Sequence, residues 1–153
     1  MASVNVVGIR CEKTFDDIVK HFKELGGDVI LMDPDYICGI DHVLSAVMHA
    51  ERAFKFGTNR SKTLLTETIL YAAGERQISK ALIRMRPKEG CIEMVAAVFD
   101  VDDLRLSLIN AVEDDRIILC TADKAMRIGL DTAMAPPEDM ILEMVAMTDI
   151  QKQ

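Results

Sequence analysis

The sequence predicts a single layered α/β domain, with a small mixed or antiparallel sheet packed against several helices, and three observations predict it. Short runs rich in β-branched residues alternate with stretches whose apolar residues recur at i, i+3, i+4 and i+7. Gly, Pro and Asp stand at most changes of period, and no repeat, linker or low-complexity stretch interrupts the 153 residues. Half of the residues are apolar and 28% are charged, the balance of a chain that builds one core over residues 1–153. A domain of that size buries roughly two thirds of the surface its unfolded chain exposes.

Residues 4–9 are rich in β-branched residues and predict an opening strand. Phe15, Ile18, Val19, Phe22 and Leu25 then fall on one helical face, with Thr14 as N-cap, Asp17 three residues later and Gly26-Gly27 as the stop. Residues 28–32 predict a second strand, closed by the turn chemistry of Asp33-Pro34-Asp35. A second helix is expected from Asp41 to Gly57 on Val43, Val47, Ala50 and Phe54, with His42, Ser45, His49 and Arg52 on its solvent side. Two shorter helices, 63–73 and 75–85, are divided by Gly74 and ended by Arg86-Pro87. Residues 91–99, apolar at nearly every position, predict a central strand with both faces covered. A helix from Asp102 or Asp103 to Val112, a short strand at 117–120, a brief helix at 123–128 and a last one at 136–148 complete the expectation, the Pro136-Pro137 pair suiting a first turn.

Several function classes are set aside by composition. The longest unbroken apolar run, residues 94–99, is far short of the roughly 18 to 20 residues that cross a bilayer. The start, MASVNVVGIRCEK, has no basic cluster, apolar stretch or A-x-A site, so no membrane partner and a cytoplasmic location are expected. The four cysteines form no C-x-x-C pair, and reduced thiols are the expectation in that compartment.

A net charge of −7 opposes nucleic-acid binding as an average, but the charge is segregated. Between Arg52 and Lys88 nine cations face only Glu67 and Glu75, a net of +7, so the remainder carries −14. Within that window Arg76, Lys80 and Arg84 stand at i, i+4 and i+8, about opposite the apolar face of Ile78, Ala81, Leu82 and Met85. Like charges so placed repel by roughly 0.2–0.5 kcal/mol per pair unless an anion lies between them. Asn59, Arg60 and Lys62 precede them in a loop able to follow a phosphate backbone. A solvated helix face accounts for the same pattern equally well. Tyr71 is the one ring nearby, which favours backbone contact over base stacking.

Catalytic candidates are thin. His42 and His49 are two turns apart, about 10 Å along a helix, and do not share an ion without reorienting, so no metal is expected. The pairs Asp33/Asp35 and Asp100/Asp102 have a spacing that can hold Mg²⁺, but each ends a strand, where Asp caps and turns. There is no glycine-rich phosphate loop, G-x-S-x-G, H-E-x-x-H or Walker lysine, so no catalytic residue and no cofactor are assigned. Met140, Met144 and Met147 run along the last helix, mostly a core pattern and otherwise an adaptable partner-binding face, a reading favoured by Ile150 just beyond in a polar tail with little core left to join.

The stretch NRSKTLLTETILYAAGERQISKAL, residues 59–82, resembles the signature of the Cgi family, the smallest regulatory subunit of the KEOPS complex. The family's pattern is a loop with asparagine and serine, an E-x-L-L-type helix and S-G-x-R-Q-I. Glu67, Ile69, Leu70, Gly74, Arg76, Gln77 and Ile78 match it, and Ala73 stands where the family has serine. HVLSAVMHAERAF, residues 42–54, and the order of elements extend the similarity. The resemblance implies an α/β domain without an active site. The resemblance further implies that such a domain binds the small lobe of a kinase-like ATPase subunit, stimulates it and helps hold tRNA while the complex installs threonylcarbamoyl on adenosine. It implies tRNA contact at Asn59, Arg60, Lys62, Arg76, Gln77, Lys80 and Arg84, and kinase contact at Ile150 with Met147 beside it; DNA is not an expected partner. Two alternatives stay open: a small enzyme using a cysteine or an Asp pair on a phosphorylated metabolite, and a free-standing RNA-binding domain.

Overall fold

The computed structural model describes residues 3–151. Met1-Ala2, at the start of the stretch read for a leader, and Lys152-Gln153, which end the polar tail, lie outside the described residues. Four strands form one antiparallel sheet in the order β2-β3-β1-β4: β1 Val4–Arg10, β2 Asp28–Met32, β3 Glu93–Phe99 and β4 Val112–Glu113. Phe99 lies opposite both Val4 and Asp28, so β3 is central, as its continuous apolar run predicts. Its alternation separates two cores. Val95, Ala97 and Phe99 face a layer built by α2 Ile40–Phe56, α3 Leu64–Ala73, α4 Ile78–Met85 and α6 Pro137–Gln151. Met94, Ala96 and Val98 face α1 Phe15–Glu24, through Ile18 and Phe22. Each fully buried side chain of that size contributes roughly 1.5–3 kcal/mol. α5 Ala122–Ile128 precedes α6. Among the described residues no helix is long and apolar enough to cross a membrane.

Helix ends obey their signals. Thr14, Thr63 and Thr121 accept hydrogen bonds from the backbone N–H three residues on, at 3.1–3.2 Å. Gly74 ends α3 at φ +65°, where a Cβ would stand 2.8 Å from Cγ of Met144 on α6. Only glycine permits both that backbone and that approach.

Several expectations are corrected. Residues 102–112 are not an α-helix, because Arg105 and Asn110 adopt left-handed φ of +47° and +53°, leaving a single 3-10 turn, Leu106–Ile109. The carboxylate of Asp103 accepts the Arg105 N–H, a local bond that competes with helix. Residues 117–120 are not a strand. Asp114 caps a 3-10 turn, Asp115–Ile117, and the carbonyls that a ladder would use accept from Lys124 Nζ (Ile117, 2.7 Å) and Gly39 N–H (Ile118, 2.8 Å). The helix predicted from 75 starts at Ile78, since Gly74 turns the chain away first. Cys38 and Cys120, expected as thiols, are joined in a disulfide that ties the start of α2 to the segment before α5; Cys11 is a buried thiol and Cys91 an exposed one.

Candidate functional site

The loop between α2 and α3 is organised by one buried carboxylate. Glu67, in the first turn of α3, is fully buried and accepts from the backbone N–H of Arg60 (3.1 Å), the N–H of Ser61 (2.9 Å) and the Ser61 hydroxyl (2.9 Å). Burying an ionised group costs several kcal/mol unless donors surround it, and here the loop supplies them. The Asn59 amide donates to the Ser61 carbonyl at 2.9 Å, closing the turn. This loop is therefore braced, not the pliable backbone follower that its composition suggests. Asn59 serves its geometry.

Bracing brings the loop against the start of α4. Arg60, Arg76, Gln77, Ile78 and Ser79 line an open cleft of about 450 Å³. Two segments of the sequence pattern, 17 apart between Gln77 and Arg60, thus form one cationic surface. Lys62 is exposed on the same loop outside that lining. Lys80 and Arg84 lie elsewhere, with Tyr36, Ile83, Arg86 and Lys88 around a second groove of about 380 Å³. Arg84 is exposed but already engaged. Its guanidinium donates to the Ala73 carbonyl at 2.9 Å and pairs with Glu75 at 2.8 Å, capping the C-terminus of α3. Leu82, assigned to the apolar face, is exposed, and Ile83 more so.

The histidines on α2 are ties between helices, not solvent-facing residues. His42 Nδ1 accepts the Cys38 N–H at 3.0 Å and Nε2 donates to the Ala72 carbonyl at 2.8 Å, the neutral tautomer those two bonds require. Burial pushes its pKa down to about 4. His49 stacks on Tyr71 at 5.4 Å, and its Nδ1 lies 3.1 Å from Asp149 on α6. Helical period placed both on the outer face, but α3 and α6 cover it.

Of the Asp pairs, Asp33 caps the turn Pro34–Tyr36 through the Asp35 N–H, and burial raises its pKa. Asp35 pairs with Lys88 at 2.9 Å, which lowers its pKa. Asp100 accepts the Ser3 N–H at 3.2 Å. Among the described residues no three His, Cys, Asp or Glu side chains are grouped to hold a metal ion.

On α6 the buried residues are Ile141, Val145 and Thr148. The methionine row therefore runs beside the core face, with Met140 and Met144 half-buried and Met147 exposed. Ile150, 63% exposed, points away from the domain's core at the helix end. α2 carries a further exposed apolar row, Ile40, Leu44 and Met48, at i, i+4 and i+8.

A family model described as kinase binding protein CGI-121 matches residues 13–135. The chain belongs to the CGI-121 family. No curated protein matches it. The matched span of this CGI-121 protein holds β2, β3, the braced loop and the cationic corner, and ends two residues before α6. Met147 and Ile150 lie beyond it. Sequence reasoning picked out Arg60, Arg76 and Gln77 but missed what Glu67 does. Its one signal was an acidic residue in a first helical turn directly after a polar loop.

Proposed function

We propose that this CGI-121 protein is a non-catalytic accessory subunit of the KEOPS complex, acting in the cytoplasm in tRNA threonylcarbamoyladenosine modification. It binds the small lobe of the kinase-like ATPase subunit, stimulates it and helps hold tRNA. Membership of a kinase-binding family carries the partner half of this reading. The RNA half rests on one observation: the Glu67-braced loop sets Arg60 beside Arg76 and Gln77 in an open cleft. Cations clustered at the rim of an open cleft suit a polyanion backbone. Lys62, exposed on the same loop, adds to that surface and Asn59 supports it from within, whereas Lys80 and Arg84 contribute cations at the separate groove.

For the kinase, the exposed pair Met147 and Ile150 at the end of α6 is the assigned contact, an adaptable apolar patch of the kind partner helices and lobes take up. The test is affinity purification of the tagged chain from its own cells, with mass spectrometry of co-purifying protein and a check for bound RNA. A kinase-like protein with companion subunits and tRNA is the expected result. RNA without protein would favour the free-standing RNA-binding domain, and neither would favour the small enzyme.

A further inference from the structure

The last turn of a helix is its weakest part, because its carbonyls lack partners and its neighbours are few. In α6 the core-facing series ends at Thr148, so apolar packing does not hold the residues beyond it. A polar device does. The two oxygens of Asp149 are divided between two other helices: Oδ1 accepts the hydroxyl of Tyr71 on α3, and Oδ2 meets Nδ1 of His49 on α2. Both anchors are fixed. Tyr71 is fully buried, the His49 side chain is 11% exposed, and their rings stack. Burial and the bond to Asp149 both raise the Tyr71 pKa, keeping its hydroxyl a donor. Asp149 is half-exposed and adjoins Ile150 in sequence; Met147 stands two residues before it.

We propose that Asp149 is a positioning residue for kinase binding: clamped by Tyr71 and His49, it fixes the final turn of α6 and so sets the direction in which Met147 and Ile150 are presented. The clamp rests on the reading that these two side chains touch the kinase. Neither composition nor helical period points to it, since its three residues come from three helices and are 22 to 100 positions apart.

The experiment is calorimetric titration of the full chain with the purified kinase-like subunit from the same cells, together with thermal melts and amide exchange over residues 148–151. Tyr71→Phe, which keeps the ring, and Asp149→Ala are each expected to weaken binding about fivefold to tenfold, a loss of about one to one and a half hydrogen-bond equivalents. Exchange in the last turn should speed up while the melting midpoint moves little. Asp149→Asn, which still offers an oxygen to Tyr71, should recover most of the affinity, and the Tyr71→Phe/Asp149→Ala double variant should bind no worse than Asp149→Ala alone. Ile150→Glu separates the two readings. If it abolishes binding while the clamp variants bind as wild type, the clamp is overturned and the tail contact stands. If Ile150→Glu binds as wild type, the tail contact fails and the clamp's role with it. An affinity loss that tracks loss of fold stability would reduce Asp149 to a structural residue and overturn the proposal.

Discussion

The braced loop at residues 59–61 and the final turn of α6 are held in opposite ways. Glu67 reaches the loop from inside the core, takes two backbone N–H groups and a hydroxyl, and leaves the cationic side chains outside. Asp149 reaches inward from a half-exposed position to two side chains and leaves apolar groups outside. The backbone that carries Arg60 is therefore tied to the core, and that bracing cannot be altered without disturbing the fold. The apolar end hangs on one carboxylate and can be altered with the fold intact. A polar ligand gains from donors fixed in advance, whereas an apolar contact tolerates adjustment.

The largest effect should come from Glu67→Ala. Losing one buried acceptor strands two backbone N–H groups, each at roughly 1–3 kcal/mol, while the Ser61 hydroxyl keeps the Thr63 carbonyl, so chemical denaturation should register a loss of about 3 kcal/mol, and tRNA binding should fall with it. Asp149→Ala should cost less in the same measurement, about 1 kcal/mol, since the carboxylate removed is itself half-exposed and serves side chains, not backbone. Equal costs would break the comparison.

Next in size is a pH effect from His42, buried and neutral. Its folded pKa, about 4, lies below its ordinary 6.5, so between those values the unfolded chain binds the proton and the folded one does not. Stability is then whole above pH 6.5 and falls as the pH drops through 4, by up to roughly 3 kcal/mol. Denaturation midpoints across that range should fall in wild type and flatten in His42→Gln. A profile unchanged by the substitution would place the titration elsewhere.

The Arg76→Glu/Lys80→Glu variant should lower the slope of log affinity for unfractionated tRNA against log salt by roughly 1.4–1.8, about two phosphate contacts. Its stability should be near wild type, because neither side chain is buried. Smallest of all, Arg84→Ala should leave that slope unchanged and cost about 1 kcal/mol of stability, since it loses the Ala73 carbonyl and the Glu75 pair. A slope change in Arg84→Ala would restore it to the RNA surface.

Much of the fold was legible where local signals and burial agree. The β-branched run of β1, the Thr14 cap, the αL glycine at 74 and the apolar run of β3 each have one dominant outcome, and each formed as expected. Residues 102–120 misled because the Leu104, Leu108, Val112 period competes with short-range bonds from Asp103 and Asp114, and the bonds prevail; Leu108 and Val112 end up exposed. At the site, the cations were legible as a charge stripe. That Arg84 bonds the Ala73 carbonyl and Glu75 was not, because it depends on where the α3 C-terminus ends in space. His42 and His49 were misread for the same reason: the helices that cover them lie 30 and 100 residues further along the chain. Cysteine spacing likewise contains nothing that pairs Cys38 with Cys120 across 82 residues.

The central claim, that the cationic corner serves RNA and the end of α6 serves the kinase, is tested most directly by measuring both affinities on two variants. Against the purified kinase-like subunit and unfractionated tRNA, Ile150→Glu should lose kinase binding and keep wild-type tRNA binding, while Arg76→Glu/Lys80→Glu should do the reverse. Loss of both affinities in either folded variant, or of neither in both, would contradict the account.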